Sequence, residues 1–150
     1  MSGGPESAST ARTVMIVEDS PLLATLLRDA LVAHGVTDRV VVFPDATTFI
    51  DAYRRALLDE TPPLLLVIDI VLPGLSGLAA GDRVRAMERG RQAQSVPIVF
   101  FSARPLDDEV RAAVDACFPA RYVEKDATGP AQVALQATKL LREIFPSGAT

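Results

Sequence analysis

The chain has 150 residues, of which 49% are hydrophobic, and a formal net charge of −4 at pH 7. This length predicts one domain with its own hydrophobic core. The acidic balance argues against nucleic acid as a direct partner, because phosphate binding requires a basic face. We interpret the clustered arginines as an exposed helix face and the loop after it: Arg83, Arg85, Arg89 and Arg91.

The two ends of the chain are predicted to be flexible tails. Residues 1–11 are small and polar and lack the charged and apolar regions of a signal peptide. Residues 146–150 follow the last helical pattern. No apolar run approaches the roughly 20 residues that cross a bilayer, and the single Cys117 fits a reducing compartment. We therefore expect a cytoplasmic protein with one domain at residues 12–145.

Five short apolar segments are predicted to be strands. The third contains five consecutive large aliphatic residues, a pattern typical of a strand that is covered on both faces in a parallel sheet. The predicted strands are Val14–Val17, Val40–Phe43, Leu64–Asp69, Pro97–Phe101 and Arg121–Glu124.

A helical pattern of apolar residues follows each predicted strand. The first helix begins after Ser20 and ends near Gly35, and the third runs from about Gly77 to Arg89. The others begin near Asp45, Asp107 and Gly129. Five alternating strands and helices predict an α/β fold, a doubly wound parallel sheet of the flavodoxin-like (βα)5 type with strand order 2-1-3-4-5.

Ionisable and hydroxyl side chains lie at the carboxyl ends of four of these strands. They are Glu18 and Asp19, Asp69, Ser102, and Lys125. In an open α/β sheet the carboxyl ends of the strands share one edge, where ligands bind. Two carboxylates about 4 Å apart repel by up to roughly 4 kcal/mol at an effective dielectric of about 20, so the acids require a cation. Mg²⁺ is the natural candidate, and Lys125 offers a second positive charge.

Each of these residues also has a purely structural interpretation. Asp19 can cap the first helix together with Ser20, Asp69 can close a turn before Pro73, and Ser102 can be a turn hydroxyl at the end of a strand. Taken one at a time, these interpretations stay open. The functional prediction depends on all of the residues meeting at one sheet edge.

The ordered set of motifs resembles the CheY-like receiver domain of two-component response regulators, over essentially residues 12–145. The residues that carry the resemblance are Glu18-Asp19, Asp69 with Pro73 four and Gly77 eight positions later, Ser102-Ala103, and Tyr122 three residues before Lys125.

The resemblance implies a phosphorelay role, not that of a conventional enzyme. Asp69 is then the acceptor of a phosphoryl group from a histidine kinase or phosphotransfer protein. Mg²⁺ is the expected cofactor, bound by Glu18, Asp19, Asp69 and the backbone carbonyl of Val71. Ser102 is expected to bind a phosphoryl oxygen.

The resemblance also implies a second residue that binds the phosphoryl group, and a conformational switch. Lys125 is expected to bind phosphoryl oxygens, and Ser102 and Tyr122 to change position together. An unidentified output protein is expected on the fourth helix, fifth strand and fifth helix. We expect a stand-alone regulator that is a monomer or a weak phosphorylation-dependent dimer.

Three other function classes compete with this interpretation. A haloacid dehalogenase-type phosphatase requires a second Asp two residues after the nucleophile, where this chain has Val71. A flavodoxin-like cofactor carrier requires a phosphate-binding loop after strand one, which the sequence lacks. A pseudo-receiver that binds proteins without phosphorylation is the remaining alternative. Arg104, near the predicted site, and Asp126, where many receivers have proline, depart from the common pattern.

Overall fold

A computed structural model describes residues 12–126 and 128–146 of the chain. The strands are β1 Thr13–Val17, β2 Arg39–Phe43, β3 Leu65–Asp69, β4 Ile98–Ser102 and β5 Ala120–Glu124. The helices are α1 Pro21–Ala33, α2 Ala46–Leu58, α3 Gly77–Gly90, α4 Asp108–Ala116 and α5 Gly129–Ile144. Of the predicted tails, residues 1–11 and 147–150 lie outside the described residues.

All five strands form one parallel sheet in the order β2-β1-β3-β4-β5. The predicted flavodoxin-like α/β fold is therefore confirmed, and each predicted strand agrees with the structure to within one residue at either end. Strands β3 and β4 are buried at every position, as their continuous apolar sequence indicates. In the described part of the chain, no helix combines the length and the apolar character needed to span a membrane.

The ends of α1 show why the local sequence predicted its bounds. The N–H of Leu23 donates to the Ser20 hydroxyl at 3.3 Å, so Ser20 caps the helix. Gly35 has φ +74°, a left-handed conformation, and directly follows the capping residue His34. The N–H of Val36 then reaches back to the carbonyl of Leu31 at 2.9 Å. The helix is thus closed at both ends by short-range contacts.

The core consists of one apolar layer on each face of the sheet. Helices α2, α3 and α4 contribute to the first layer, in which Phe49 and Val84 are fully buried. Helices α1 and α5 cover the other face with residues such as Leu27 and Leu140. Because helices cover both faces, the sheet edges formed by the strand ends are left to bind ligands.

The prediction that all four clustered arginines face solvent is wrong for Arg85. Arg83, Arg89 and Arg91 are exposed, but Arg85 is only 5% exposed. Its guanidinium lies 2.8 Å from the carboxylate of Glu88, one turn further along α3. This ion pair lies at the edge of the sheet where the strands begin, next to the segments that precede β4 and β5.

Remote parts of the chain complete the buried ion pair. Arg85 donates two hydrogen bonds to the carbonyl of Cys117, at 2.9 and 2.8 Å. The Glu88 carboxylate accepts the Tyr53 hydroxyl at 2.5 Å and the N–H of Val96 at 3.0 Å. Buried charges are stable only when they are paired and hydrogen-bonded, and both are here. We call Tyr53, Arg85 and Glu88 the basal cluster.

Candidate functional site: an acidic pocket at the carboxyl edge of the sheet

The sheet register brings the predicted acids together. Val17 at the end of β1 pairs with Ile68 of β3, so the next residues of the two strands, Glu18 and Asp69, lie side by side. Asp69 in turn pairs with Phe101 of β4. The site is therefore built at the junction of β1, β3 and β4, where an open parallel sheet has its ligand crevice.

The spacing from Asp69 to Gly77 has a steric cause. The N–H of Gly77 donates to the carbonyl of Ile70 at 2.9 Å, which places the start of α3 against the end of β3. A Cβ atom at position 77 would lie 1.9 Å from the carbonyl oxygen of Asp69. Only glycine fits this close approach. The turn that contains Pro73 thus returns the chain directly over the aspartate.

Three carboxylates converge in the pocket, as the sequence predicted. Oxygen atoms of Glu18, Asp19 and Asp69 all lie within 4.8 Å of one another. Glu18 and Asp69 are each only 2% exposed, while Asp19 is exposed to solvent. The structural alternative for Asp19 does not hold, because the hydroxyl of Ser20 supplies the helix cap. The pocket therefore has two buried acids and one at its rim.

Lys125 is the cation of the pocket. Its Nζ donates to Oδ2 of Asp69 at 2.8 Å and lies 3.3 Å from Oε1 of Glu18. The ammonium also stands 5.6 Å from the centre of the Phe101 ring, within the range of a cation–π contact. Its backbone N–H bonds to the carbonyl of Ser102 at 2.8 Å, which positions the loop after β5 against β4.

The pKa values of the two ionisable groups beside Asp69, Glu18 and Lys125, are both raised, but burial acts on them in opposite directions. Burial raises the pKa of Glu18 to about 7, and the charge of Asp69 adds to this, while the Ser20 N–H and Lys125 oppose it. Burial alone would lower the pKa of Lys125, but its hydrogen bond to Asp69 and the two negative charges raise it overall. In the pocket as described, Lys125 is charged and Glu18 holds a proton part of the time near neutral pH.

One polar atom of the pocket lacks a hydrogen bond. Oε1 of Glu18 is buried and has no hydrogen-bond partner among the described residues, since Lys125 approaches it without hydrogen-bond geometry. A buried carboxylate oxygen without a donor is costly unless a cation occupies its free side.

The donor set fits a hard divalent cation. Carboxylate oxygens from Glu18, Asp19 and Asp69 are typical ligands of Mg²⁺, which keeps several waters and takes few protein ligands. Val71 is next to the site, and its N–H donates to Oδ1 of Asp69 at 3.0 Å. A role for the Val71 carbonyl as a ligand stays a prediction.

Ser102 and Tyr122 meet at one residue that the sequence did not single out for this role. Ser102 is fully buried, and its hydroxyl oxygen accepts the N–H of Arg104 at 2.9 Å. The Tyr122 hydroxyl donates to the carbonyl oxygen of the same residue. The guanidinium of Arg104 turns to α4, where it lies 2.6 Å from Glu109. The only sequence signal was the position of Arg104 two residues after Ser102, because backbone contacts leave no residue pattern.

Comparisons with known proteins agree with this geometry. Residues 14–132 match the model of the response regulator receiver domain. The chain is 29% identical over 109 residues to the sensor protein GacS of Pseudomonas syringae. The aligned region covers 73% of this chain and 11% of that protein. It is 30% identical over 146 residues to the transcriptional regulatory protein BaeR of Escherichia coli, covering 93% of this chain and 54% of that protein. The chain thus spans about a tenth and about half of these two relatives.

The fold is shared with solved receiver domains. The receiver domain of the histidine kinase CKI1 from Arabidopsis thaliana, solved in complex with Mg²⁺ and BeF3⁻, superposes with a TM-score of 0.70 at 16% identity, covering 90% of this chain and 96% of that one. Receiver domains are signalling phospho-acceptors that work with histidine kinases and are not conventional enzymes. From the matched family model and the acidic pocket, we conclude that the chain belongs to the family of response regulator receiver domains.

Proposed function

We propose that the acidic pocket accepts a phosphoryl group on Asp69 in a Mg²⁺-dependent reaction. The observation that carries the proposal is the position of Lys125, whose ammonium bonds Asp69 at 2.8 Å and lies 3.3 Å from Glu18. The three converging carboxylates would hold Mg²⁺ on one side of Asp69, and the ammonium lies on the other. A phosphorylated Asp69 would therefore have a cation on each side. When bound, Mg²⁺ supplies positive charge to the carboxylates and to the incoming phosphoryl oxygens.

Asp69 is the nucleophile of the proposed reaction. One of its carboxylate oxygens attacks the phosphorus atom, and the bond from phosphorus to the donor atom breaks with the electron pair leaving on the donor. The N–H of Val71 holds Oδ1 at 3.0 Å, which fixes the orientation of the carboxylate before the attack. Asp69 is 2% exposed, so only a small donor or a closely docked histidine can reach it.

Lys125 changes partners as the charge moves. In the unmodified pocket the ammonium bonds Oδ2 of Asp69. An acyl phosphate has no negative charge on its carbonyl oxygen, while the phosphoryl oxygens carry it, so the ammonium follows the charge to the phosphoryl group. Ser102 supplies a hydroxyl donor at the end of the neighbouring strand, and its oxygen already accepts the N–H of Arg104.

We further propose that phosphorylation switches an output surface on α4, β5 and α5 through Ser102 and Tyr122. Both residues bond the backbone of Arg104, one at its N–H and the other at its carbonyl, so a displacement of Ser102 is passed to the loop before α4. The donor in this proposal is a histidine kinase or phosphotransfer protein, and the output partner is a protein that binds this surface.

The test is incubation with Mg²⁺ and acetyl phosphate, followed by intact-mass measurement. We expect one added phosphoryl group on the unmodified protein and none on Asp69→Asn, because an amide is a poor nucleophile. Chelation of Mg²⁺ should abolish the modification. Asp51→Asn, an exposed aspartate on α2 that pairs with Arg54, is the matched control and should label normally.

The pseudo-receiver alternative predicts a different outcome. If the protein stays unmodified with acetyl phosphate and with phosphoramidate at saturating Mg²⁺, phosphorylation is not its function, and a phosphorylation-independent binding module becomes the better account. Equal labelling of Asp69→Asn and the unmodified protein would show instead that the acceptor is another residue.

A further inference from the structure

Two consecutive phenylalanines near the end of β4 face opposite sides of the sheet. Phe100 belongs to the apolar layer that includes α2, α3 and α4, and Phe101 belongs to the layer of α1 and α5. Both side chains are buried. They differ in one respect, because the Lys125 ammonium lies over the Phe101 ring, 5.6 Å from its centre. Phe101 is therefore a core residue that also forms part of the wall of the acidic pocket.

The Phe101 ring is held in place by the elements around it. Within the sheet, Phe101 pairs with Asp69 of β3 and with Val123 of β5. The first residue of α5 lies directly against the ring, since a Cβ atom at position 129 would be 2.7 Å from it. Gly129 thus leaves the space that the ring occupies. The closely packed ring offers a fixed face to the loop that carries Lys125.

The Lys125 side chain, by contrast, needs contacts to stay in the pocket. Lysine has four rotatable bonds, and fixing them costs rotamer entropy. The side chain is 22% exposed, so solvent offers the ammonium another environment. Two kinds of contact oppose this loss, the ionic contacts with Asp69 and Glu18 and the contact with the Phe101 ring.

These two kinds of contact differ during the proposed transfer. When Asp69 becomes an acyl phosphate, its negative charge is replaced by charge on the phosphoryl oxygens, so the ion pair of Lys125 with Asp69 has to be exchanged. The Phe101 ring carries no charge and does not react. Its attraction for the ammonium is therefore present before, during and after the transfer.

We propose that Phe101 is a positioning residue for phosphoryl transfer, and that its ring holds the Lys125 ammonium at the carboxyl edge of the sheet. This role rests on the proposed function, because the ammonium is placed to meet the phosphoryl oxygens of that reaction. Cation–π contacts are strongest where water is excluded, and Phe101 and Asp69 are both buried. Phe101 acts on the ammonium and not on the phosphoryl group, so its effect should pass through Lys125.

The first test is the rate of labelling with Mg²⁺ and acetyl phosphate, followed by intact mass on folded samples. Phe101→Leu keeps an apolar side chain but removes the ring, and should lower the rate constant about threefold to thirtyfold, the range expected for one cation–π contact. Phe100→Leu is the matched control, because it makes the same change one residue earlier, on the opposite face of the sheet. It should label at the rate of the unmutated protein.

A second comparison separates positioning from packing. In a Lys125→Met background, Phe101→Leu should cause no further slowing, because the ring then has no ammonium to hold. A packing defect would slow labelling by the same factor in both backgrounds. Equal slowing in the two backgrounds, or equal slowing by Phe100→Leu and Phe101→Leu, overturns the proposal.

The contact itself is measurable without any substitution. The chain has two lysines, Lys125 and Lys139, and Lys139 is exposed on α5, so lysine-labelled protein gives one set of signals from the pocket and one reference. We expect a nuclear Overhauser effect between the ε-protons of Lys125 and the ring protons of Phe101. We also expect a ring-current shift of these ε-protons that is absent in Phe101→Leu. If the unmutated protein shows neither signal, the proposal is overturned even where the variant fails to fold.

Failure of this role is distinguishable from failure of the proposed function. If acetyl phosphate labels the unmutated protein and Phe101→Leu at the same rate, only the role of Phe101 is rejected. If the unmutated protein is not labelled, phosphoryl transfer is rejected, and the role of Phe101 in that reaction is rejected with it. The lysine spectra then still decide whether the ring holds the ammonium.

Discussion

Two buried ionic groups lie at opposite edges of the same sheet, and they differ in how completely they are paired. In the basal cluster, the Glu88 carboxylate accepts from Arg85, from the Tyr53 hydroxyl and from the backbone. In the acidic pocket, Glu18 has one buried oxygen without a hydrogen-bond partner among the described residues. Lys125, the cation of that pocket, is shared between two acids.

The difference distinguishes a structural charge group from a binding one. The basal cluster closes the amino edge of the sheet, where Arg85 satisfies the carbonyls of Cys117 and Pro119 just before β5 begins. It needs nothing from solution. The acidic pocket has more negative than positive charge and an unsatisfied oxygen, so a bound cation completes it. Substitutions should therefore have opposite effects on the free energy of unfolding at the two edges.

The largest effect is expected in the basal cluster. Glu88→Ala leaves the Arg85 guanidinium and the Tyr53 hydroxyl buried without their partner, and should lower the free energy of unfolding by about 3–5 kcal/mol. Urea denaturation measures this loss. Arg83→Ala, on the exposed side of the same helix, is the control and should change stability by no more than about 0.5 kcal/mol. A loss below about 1 kcal/mol for Glu88→Ala would mean that the cluster is not a buried ion pair in solution.

Mg²⁺ should stabilise the metal-free protein through the acidic pocket. At a concentration one hundred times the dissociation constant, binding to the folded state alone adds about 2.7 kcal/mol to the free energy of unfolding. Thermal denaturation with and without Mg²⁺ measures the gain. Asp69→Asn and Glu18→Gln should gain much less, and Glu88→Ala should retain the response because its substitution is at the other edge. An equal gain in all variants would place the metal elsewhere.

Glu18→Gln should stabilise the metal-free protein at pH 8. The pKa of Glu18 is raised from 4.5 to about 7 in the folded state, so folding favours its protonated form. That advantage is fully present below pH 4.5 and is lost as the pH rises through about 7, where the buried carboxylate must ionise. Gln removes the charge and should add about 1–3 kcal/mol above pH 7 and little near pH 5.

The matching measurement is urea denaturation of both proteins in a chelator at pH 5 and pH 8. A benefit from Glu18→Gln that is the same at the two pH values would show that its origin is not the ionisation of Glu18. A loss of stability at pH 8 would show that the contact between Glu18 and Lys125 outweighs the burial of the carboxylate.

The smallest effect on stability is expected at Ser102 and Tyr122. Tyr122→Phe removes one hydrogen bond to the Arg104 carbonyl and should lower the free energy of unfolding by about 0.5–1.5 kcal/mol.

Ser102→Ala should remain phosphorylatable but respond weakly to the phosphoryl group. Amide chemical shifts with and without beryllofluoride and Mg²⁺ test this. In the unmutated protein, changes confined to the vicinity of Asp69, with residues 104–126 unmoved, would contradict the proposed switch.

The sequence determined the fold and the composition of the acidic pocket. The apolar run that ends in Asp69 and the strand that precedes Lys125 could be predicted locally, because continuous apolar runs and helix caps depend on neighbouring residues. A parallel sheet then brings the strand ends to one edge without further information, so Glu18 was expected beside Asp69 and lies there. The hydrogen bonds to the Arg104 backbone could not be predicted from the sequence, because almost any residue can supply an N–H and a carbonyl.

Only the tertiary structure decided which charges are buried. Arg85 and Glu88 are three residues apart on α3, a spacing that on most helices marks an exposed ion pair. Their burial depends on Tyr53, 35 residues away from Glu88, and on Cys117, 32 residues beyond Arg85. Local patterns report periodicity, whereas burial and complementarity depend on partners that the sequence alone does not place in contact.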